Sequence, residues 1–351
     1  MSIQARIPHE RLHHFVTSVY VHLGMPDADA ELLADTLVQA DLWGHQSHGT
    51  LRTPWYARRI LTGAMAAATS CNLVVDAGAV AVVDGNDGIG QVITKRATDE
   101  AVRRAKAHGV SAIAVRNSGH FGTAMYFTRR MAADGCIGIL TTNASPAMPP
   151  WGGIDRIVGN NPWSIAAPMQ DGRAMVLDIA NTAVARGKIY LARQRGEEIP
   201  DGWAMTSEGV PTTDPAAAIA GMIMPMAGHK GYGISVMMDV LSGVLSGSMF
   251  GPGVHGPYEP AARSGCGHLV IALDIAHFRP LDTFLEEIER MAAGLKSSAL
   301  AKNSTGVFYP GEPEEIADAH NRACGIELPR QTLDDLNILA GDIGTTERLT
   351  Y

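Results

Sequence analysis

A strand, a helix and a second strand between residues 79 and 115 constrain the fold of this 351-residue chain more than any other feature. Residues 79–84 form a short apolar run, and residues 91–108 carry apolar side chains at helical spacing, with Gly109 as a stop. Residues 111–115 then form a second apolar run. This alternation predicts an α/β fold.

Further elements are predicted on both sides of this unit. Residues 10–23 and 26–44 have apolar side chains at helical spacing, so the N-terminal region is expected to be mainly helical. The later elements are helices at 125–134, 185–195 and 230–245, and strands at 138–142, 174–179 and 267–275. The turn-rich residues 197–215 are expected to form loops or a lid-like connection.

The turn after the first predicted strand lacks a complete dinucleotide-binding fingerprint. Gly88 and Gly90 supply the first two glycines of Gly-x-Gly-x-x-Gly, but Ile93 occupies the third position. An ordinary strand-to-helix turn explains both glycines. The sequence therefore does not support a Rossmann phosphate-binding turn at this position.

Charge and composition exclude several classes of protein. The formal net charge is −8 and the basic residues are scattered, which argues against a nucleic-acid partner. The apolar stretches are too short or too interrupted to cross a bilayer, and residues 1–10 do not resemble a signal peptide, so no membrane association and a cytoplasmic location are expected. The four cysteines are far apart and contain no Cys-x-x-Cys, which favours reduced thiols.

The first candidate site is the segment that contains His48, Arg52 and Tyr56. These side chains would share one face if the segment were helical, although Pro54 complicates a continuous helix. Arginine binds a carboxylate with two parallel hydrogen bonds, tyrosine orients a substrate oxygen, and histidine exchanges a proton near neutral pH. The alternative is a helix end with a capping histidine and a solvated arginine. His45 and His48 have no further ligand motif, so no metal site is predicted.

Two other segments could contribute to a site. His120 lies between glycines directly after the strand at 111–115, where a loop can place an acid/base group over the sheet edge; the alternative is a turn residue. Lys230 opens an apolar helix, where a bound phosphate would interact with both the ammonium group and the free helix amides. The alternative is a lysine that points into water.

Taken in order, these segments resemble the type-2 malate/L-lactate dehydrogenase family, which includes ureidoglycolate dehydrogenase, sulfolactate dehydrogenase, diketogulonate reductase and piperideine-2-carboxylate reductase. The resemblance covers nearly the whole chain. The matching motifs are Ser47-His48-Gly49 with Arg52 and Tyr56, Ser118-Gly119-His120, Trp151-Gly152-Gly153, Gly159-Asn160-Asn161-Pro162, Leu177-Asp178-Ile179-Ala180, Gly187-Lys188, Val210-Pro211-Thr212-Thr213-Asp214-Pro215, His229-Lys230-Gly231-Tyr232-Gly233 and Tyr309-Pro310-Gly311.

The resemblance implies a non-Rossmann nucleotide-binding fold with a twisted, largely antiparallel sheet. It also implies a helical substrate-side lobe built from both chain ends, residues 1–75 with 310–351, beside an α/β nucleotide-binding and dimerisation region at residues 76–309. A homodimer is expected, with active sites in a cleft between domains.

The resemblance further implies an enzyme that transfers a hydride between NAD or NADP and the alpha carbon of a small 2-hydroxy or 2-oxo acid. The alternative is reduction of a cyclic imine (ketimine) carboxylate with NADPH. His120 would be the acid/base, Arg52 the carboxylate clamp, and His48 and Tyr56 substrate-orienting groups, although which histidine donates the proton stays open. The implied nucleotide contacts are Ala144, Ser145, Asp178, Ile179, Ala180, His229, Lys230, Gly311, Glu312 and Pro313. The residues at 143–145 are uncharged, so both NAD and NADP remain possible.

Overall fold

A computed structural model describes residues 5–350. Residues 1–4 and 351 lie outside the described residues. They belong to the predicted helical lobe, and residues 1–4 also belong to the segment that was compared with a signal peptide. The helices are α1 His9–His22, α2 Asp27–Leu42, α3 Thr53–Leu61, α4 Gly90–His108, α5 Met125–Ala133, α6 Arg186–Arg195, α7 Pro215–Ala220, α8 His229–Asp239, α9 Leu281–Lys296, α10 Glu312–Cys324 and α11 Arg330–Asp342. The strands are β1 Ala5–Ile7, β2 Asn72–Ala77, β3 Val80–Asp84, β4 Val110–Ser118, β5 Cys136–Thr142, β6 Pro146–Met148, β7 Val158–Gly159, β8 Trp163–Pro168, β9 Ala174–Ile179, β10 Ala204–Met205, β11 Pro211–Thr212, β12 Met222–Ile223, β13 Cys266–Asp274 and β14 Ile326–Leu328.

The centre of the fold is a seven-stranded sheet in the order β2-β3-β4-β13-β5-β8-β9. Only β3 and β4 pair in parallel within this sheet, because α4 connects them as a crossover; the other neighbours are antiparallel. Helices α4 and α5 pack on the sheet through buried side chains that include Ala97, Ala101, Phe127 and Met131. The mixed α/β architecture with a mostly antiparallel sheet confirms the fold class at this level.

A second core joins helices from both ends of the chain. Leu12, Phe15, Val16 and Val19 follow the i, i+3, i+4, i+7 spacing on α1 and are fully buried against α2, α3 and α11. Strand β1 pairs with β14 in antiparallel orientation, so the first and last parts of the described chain meet in one small sheet.

Residues 197–215 are more ordered than the turn-rich sequence indicated. Strands β10 and β11 lie in this segment and pair with each other, and β10 also pairs with β12. These strands are two residues long, too short to show alternating hydrophobicity. The segment packs with α6 and α7 around a small core of Val184, Ile189, Ile199 and Ala204. Residues 197–215 are therefore mostly a connection between α6 and α7, as predicted, with two short strands that the sequence did not indicate.

The apolar helix predicted at 230–245 also differs from the structure at its end. The α-helical part, α8, ends at Asp239, and the chain then forms a π-helical turn, Val240–Val244. Across residues 5–350, no helix combines the length and the apolar character that a membrane span requires. All four cysteines are free thiols, as predicted.

Candidate active site

The loop after β4 places His120 against the hydroxyl of Tyr56. Tyr56 Oη lies 2.6 Å from His120 Nδ1, and the backbone N–H of Gly122 donates to the same nitrogen over 3.2 Å. Tyr56 is buried on α3, whereas His120 is partly exposed. The contact joins the helical core to the central sheet, since α3 belongs to the former and β4 to the latter.

Gly90 allows this loop to lie directly on the start of α4. A Cβ atom on Gly90 would come within 2.5 Å of the carbonyl oxygens of both Gly119 and His120. Side-chain Cβ atoms do not approach backbone that closely, so only glycine fits without displacement of the loop. The glycine-rich turn is thus a strand-to-helix turn, and its glycine supports the position of the candidate catalytic histidine.

His48, Arg52 and Tyr56 converge, but not on one continuous helix. Two 3₁₀ turns, Gln46–His48 and Thr50–Arg52, precede α3, which begins at Thr53. Pro54 then lies in the first helical turn, where its missing N–H costs nothing. The His48 ring stacks over the His120 ring with a centroid separation of 5.5 Å. The turns, rather than helical spacing, therefore bring the two histidines together.

Arg52 is held by two contacts beside this pair. Its Nε donates to the carbonyl of Ser47 over 2.6 Å, and its guanidinium carbon lies 4.3 Å from the ring centroid of Trp55. Stacking on an indole face orients a guanidinium group without using all of its N–H donors. The free donors remain available for a carboxylate.

Asp41, at the end of α2, stabilises the turn that carries His48 and Arg52. Asp41 Oδ2 accepts hydrogen bonds from the backbone N–H and the hydroxyl of Thr50, at 2.9 and 2.6 Å. A Cβ on Gly49 would overlap the Asp41 carboxylate at 1.8 Å. Burial raises the pKa of Asp41 to about 7. Sequence reasoning missed Asp41, although an acidic residue at the negative end of a helix dipole is a detectable signal.

The electrostatics of the site favour neutral histidines and an anionic ligand. Burial, followed by the charge of Arg52, lowers the pKa of His48 to about 3 and lowers that of His120 well below its usual value. Both rings are therefore neutral at pH 7 in the protein alone. Arg52 then provides positive charge at a position where an acid substrate can meet both rings.

A loop at residues 256–264 closes this region, and Arg59 holds it. The buried guanidinium of Arg59, on α3, donates to the carbonyls of Gly256, Glu259 and Ala262. The loop carries Tyr258, whose hydroxyl lies 3.1 Å from Ser145 Oγ and whose ring meets Trp55 edge-on at 6.4 Å. Tyr258 thus connects the Arg52 turn to one of the predicted nucleotide contacts. Neither Arg59 nor Tyr258 was predicted, since their partners are distant in sequence.

Two buried asparagines connect the segments that carry several predicted nucleotide contacts. Asn161 Oδ1 accepts from the Ala144 N–H over 2.9 Å, and its Nδ2 donates to the Ser235 carbonyl on α8 over 2.9 Å. Asn181 Nδ2 donates to the Asn161 carbonyl over 2.6 Å. The loop at 144–145, the end of β9 at 178–180 and helix α8 are therefore linked through side-chain amides. Asn161 belonged to a recognised motif, but no role had been predicted for it.

Some of the predicted nucleotide contacts bond to other residues of the chain, and others do not. Asp178, at the end of β9 next to Ile179 and Ala180, accepts from the Met125 N–H over 2.8 Å, and burial raises its pKa. Glu312, between Gly311 and Pro313, forms an ion pair with Lys296. By contrast, His229 and Lys230 are exposed at the start of α8, and the Lys230 ammonium has no hydrogen bond or ion pair within residues 5–350. Gly311 has φ +93° and packs against Val176, two residues before Asp178.

His45 and His48 have separate partners. His45 Nε2 lies 3.2 Å from a carboxylate oxygen of Glu314, and His48 Nδ1 lies 2.9 Å from Ser47 Oγ. In the described part of the chain, no three side chains of the metal-binding types are grouped closely enough to hold an ion.

Known proteins of one family match nearly the whole chain. The sequence model of the malate/L-lactate dehydrogenase family matches residues 7–337. Malate dehydrogenase of Pyrococcus horikoshii is 37% identical over 97% of this chain and 96% of its own length. The NADP⁺-dependent (2R)-3-sulfolactate dehydrogenase of Chromohalobacter salexigens is 36% identical over 91% and 93%, and the NAD⁺-dependent ureidoglycolate dehydrogenase of Escherichia coli K12 is 34% identical over 92% of each.

Solved structures show the same architecture. Sulfolactate dehydrogenase from Methanocaldococcus jannaschii superposes with a TM-score of 0.92 at 34% identity, over 97% of this chain and 98% of that one. The delta1-piperideine-2-carboxylate reductase from Pseudomonas syringae pv. tomato superposes with a TM-score of 0.82 at 25% identity, over 96% and 100%.

The fold, the site and these relatives define an NAD- or NADP-dependent oxidoreductase that acts on a small 2-hydroxy or 2-oxo acid. Within that class, the chain belongs to the malate/L-lactate dehydrogenase family.

Proposed function

We propose that His120 exchanges the proton on the substrate oxygen while Arg52 binds the substrate carboxylate, and that His48 and Tyr56 orient the substrate. The observation that carries this proposal is the 2.6 Å contact between Tyr56 Oη and His120 Nδ1 beside the stacked His48 ring. It leaves His120 Nε2 as the nitrogen that can reach a substrate, at hydrogen-bond distance from the reacting oxygen.

The neutral state of His120 decides how it works in each direction. In alcohol oxidation, a neutral imidazole is ready to accept the hydroxyl proton. In reduction, the proton must be taken up once an anionic substrate has offset the charge of Arg52 and made the imidazolium more stable. Arg52 therefore contributes twice: it fixes the carboxylate, and its charge controls the proton on His120.

The residues at the predicted nucleotide contacts suit a pyridine dinucleotide. The exposed Lys230 at the start of α8 suits a phosphate, and the remaining contacts would be Ala144, Ser145, Asp178, Ile179, Ala180, His229, Gly311, Glu312 and Pro313. The bound cofactor supplies or accepts the hydride at the substrate alpha carbon. Because Asn143, Ala144 and Ser145 carry no charge, the loop would not repel a 2'-phosphate, so NADP is admitted as well as NAD.

The same proposal extends to the division of the chain. Residues 1–75 with 310–351 would form the substrate-side lobe, and residues 76–309 a nucleotide-binding region of non-Rossmann type. The turn at Gly88 and Gly90 supports the latter, because Gly90 accommodates the backbone of Gly119 and His120. The four free thiols support a reducing, cytoplasmic setting.

We also propose that two copies associate through the face formed by α8 and the segment that follows it. Large apolar side chains are unusually exposed there: Met237, Val244, Leu245, Met249 and Phe250 are each more than half exposed. Clusters of this kind mark protein interfaces. A homodimer by light scattering, lost in Leu245→Glu with Phe250→Asp, would support this face. A monomer in the unmodified protein would contradict it.

The substrate is tested by oxidation of NADH and NADPH against 2-oxo acids, including oxaloacetate, pyruvate and 3-sulfopyruvate, and against cyclic imine carboxylates. Turnover of a 2-oxo acid supports the proposal and identifies the preferred cofactor. Turnover of imines alone would favour the alternative reductase, which would use the same arginine and histidine. No turnover with any of these compounds would contradict both.

A further inference from the structure

Asp84, the last residue of β3, forms hydrogen bonds with three residues around the start of the His120 loop. Its Oδ1 accepts from the backbone N–H of Asn86 over 3.0 Å, and its Oδ2 accepts from Nε of Arg116 over 2.8 Å. The side-chain nitrogen of Asn117 lies 3.0 Å from both oxygens. An ionised carboxylate can only accept, so the amide of Asn117 must direct its nitrogen toward Asp84. Asp84 therefore joins the turn after β3 to the end of β4, three residues before His120.

The backbone is left-handed on both sides of this contact. The φ angles of Asn86, Asp87 and Asn117 are +49°, +56° and +50°. Such a conformation is sterically unfavourable for a residue with a side chain, although asparagine and aspartate adopt it more readily than most. The Asp87 N–H donates to the Asn117 carbonyl over 2.9 Å, so the two left-handed segments bond directly to each other. Backbone of this kind persists where surrounding contacts hold it, and the Asp84 carboxylate bonds to both segments.

The chain that leaves Asn117 continues along the same turn. A Cβ on Gly119 would lie 3.9 Å from the Gly88 carbonyl oxygen, and a Cβ on Gly90 would meet the carbonyls of Gly119 and His120. The turn at residues 85–90, which lacks a complete dinucleotide fingerprint, thus supports the His120 loop. Because the φ angle of Asn117 sets the direction in which the chain leaves β4, a change to negative φ would move the loop away from this support.

We propose that Asp84 is a positioning residue that holds Asn117 in its left-handed conformation and so places His120 against Tyr56. The inference rests on the proposed role of His120 in proton exchange. Asp84 acts through the loop, whereas the proposed carboxylate clamp, Arg52, lies on the separate turn before α3. Loss of the Asp84 carboxylate should therefore affect turnover more than binding of the acid.

Asp84→Ala tests the role of the carboxylate, with the 2-oxo acid that the unmodified protein reduces fastest as substrate. We expect kcat to fall about tenfold to hundredfold, because a reacting group displaced by about 1 Å has an effect of this order. KM for the acid should stay unchanged, since Arg52 is untouched. Asp76→Ala is the matched control, because Asp76 lies on the neighbouring strand β2 and pairs with Arg104 on α4 instead of the end of β4. It should keep the unmodified kcat. Thermal unfolding verifies that each variant is folded.

Two substitutions of Asn117 separate its backbone conformation from its side-chain hydrogen bond. Asn117→Gly and Asn117→Ala both remove the amide that binds Asp84, but glycine adopts positive φ without the steric cost that alanine has. Asn117→Gly should therefore have a kcat about fivefold to thirtyfold higher than Asn117→Ala, the equivalent of about 1–2 kcal/mol. The same glycine added to Asp84→Ala should restore part of the lost kcat. The comparison of glycine with alanine tests the inference even if Asp84→Ala does not fold.

The direct readout is the position of the loop in crystal structures of the variants. We expect the unmodified protein and Asp76→Ala to keep a positive φ at residue 117 and the 2.6 Å contact between Tyr56 Oη and His120 Nδ1. Both features should be lost in Asp84→Ala. This readout does not depend on turnover.

Two results would overturn the inference. One is an Asp84→Ala structure in which residue 117 stays left-handed and the contact between Tyr56 and His120 is unchanged. The other, given a slow His120→Ala variant, is equal kcat in Asn117→Gly and Asn117→Ala. Full activity in His120→Ala, or a displaced loop with no loss of kcat, would instead reject the proposed role of His120 and leave the crystallographic comparison valid.

Discussion

Replacement of Asp41 by asparagine should remove a large part of the pH dependence of folding stability. Asp41 is 1% exposed, Oδ2 accepts two hydrogen bonds from Thr50, and Oδ1 has no partner within residues 5–350. Burial raises its pKa from 3.8 to about 7. Asparagine keeps an acceptor oxygen for Thr50 and nearly the same shape, but it cannot ionise.

The magnitude follows from linkage. Between pH 4 and pH 7, the unfolded chain releases the Asp41 proton while the folded chain retains it, so the free energy of unfolding falls as pH rises. The stabilising effect of the proton is complete below about pH 4 and is lost as pH rises through about 7. At 1.36 kcal/mol per pH unit, the group accounts for about 4 kcal/mol in total, of which about 3 kcal/mol is lost between pH 5 and pH 8.

Urea unfolding at pH 5 and pH 8 measures this effect. The unmodified protein should lose about 3 kcal/mol more stability between the two pH values than Asp41→Asn, because all other titrating groups cancel in the comparison. Asp27→Asn, at an exposed position on the first turn of the same helix, controls for removal of a carboxylate from α2. An equal stability difference between the unmodified protein and Asp41→Asn at the two pH values would refute the reasoning.

Four further predictions concern the site. His120→Ala should lower kcat by about a hundredfold to ten-thousandfold, measured by NAD(P)H absorbance, and a variant with normal kcat would remove His120 from proton exchange. Arg52→Lys should raise KM for the acid because lysine lacks the planar fork, whereas an unchanged KM would reject the clamp. Because burial and Arg52 lower the pKa of His120, kcat/KM for reduction should continue to rise as pH falls below 6.5; a plateau already reached at pH 7 would contradict this. Gly90→Ala should destabilise the protein by about 1–3 kcal/mol in urea unfolding and reduce kcat, because the added Cβ meets the Gly119 and His120 carbonyls; wild-type stability would show that the loop yields freely.

Local elements with strong periodicity could be predicted closely from the sequence. The helix predicted at 91–108 is observed as Gly90–His108, and Gly109 ends it with φ +83°. The arrangement of the strands required more than local pattern, because β4 and β5 both pair with β13, which lies more than 120 residues further along the chain. Without the family resemblance, nothing in the sequence near residue 115 indicates that neighbour.

In the candidate site, too, contacts between residues distant in sequence could not be predicted. The residues with reactive side chains, His48, Arg52 and His120, could be found because their chemistry is visible in the sequence. The residues that hold them in place could not, because their roles depend on distant partners. Arg59 binds carbonyls about 200 positions away, and Asn161 connects a loop to a helix that begins 68 residues later. A buried polar residue can be recognised as structural only when its partners are known.

The pairing of β1 with β14 has a consequence for the order in which the protein forms. Residues 326–328 leave the ribosome long after strand β4 and the His120 loop that follows it. The helical core that supports the turn with His48 and Arg52 is completed by β14 and α11. A nascent chain can therefore assemble most of its sheet first, and the turn with Arg52, the proposed carboxylate clamp, is fully supported only after β14 and α11 have been made.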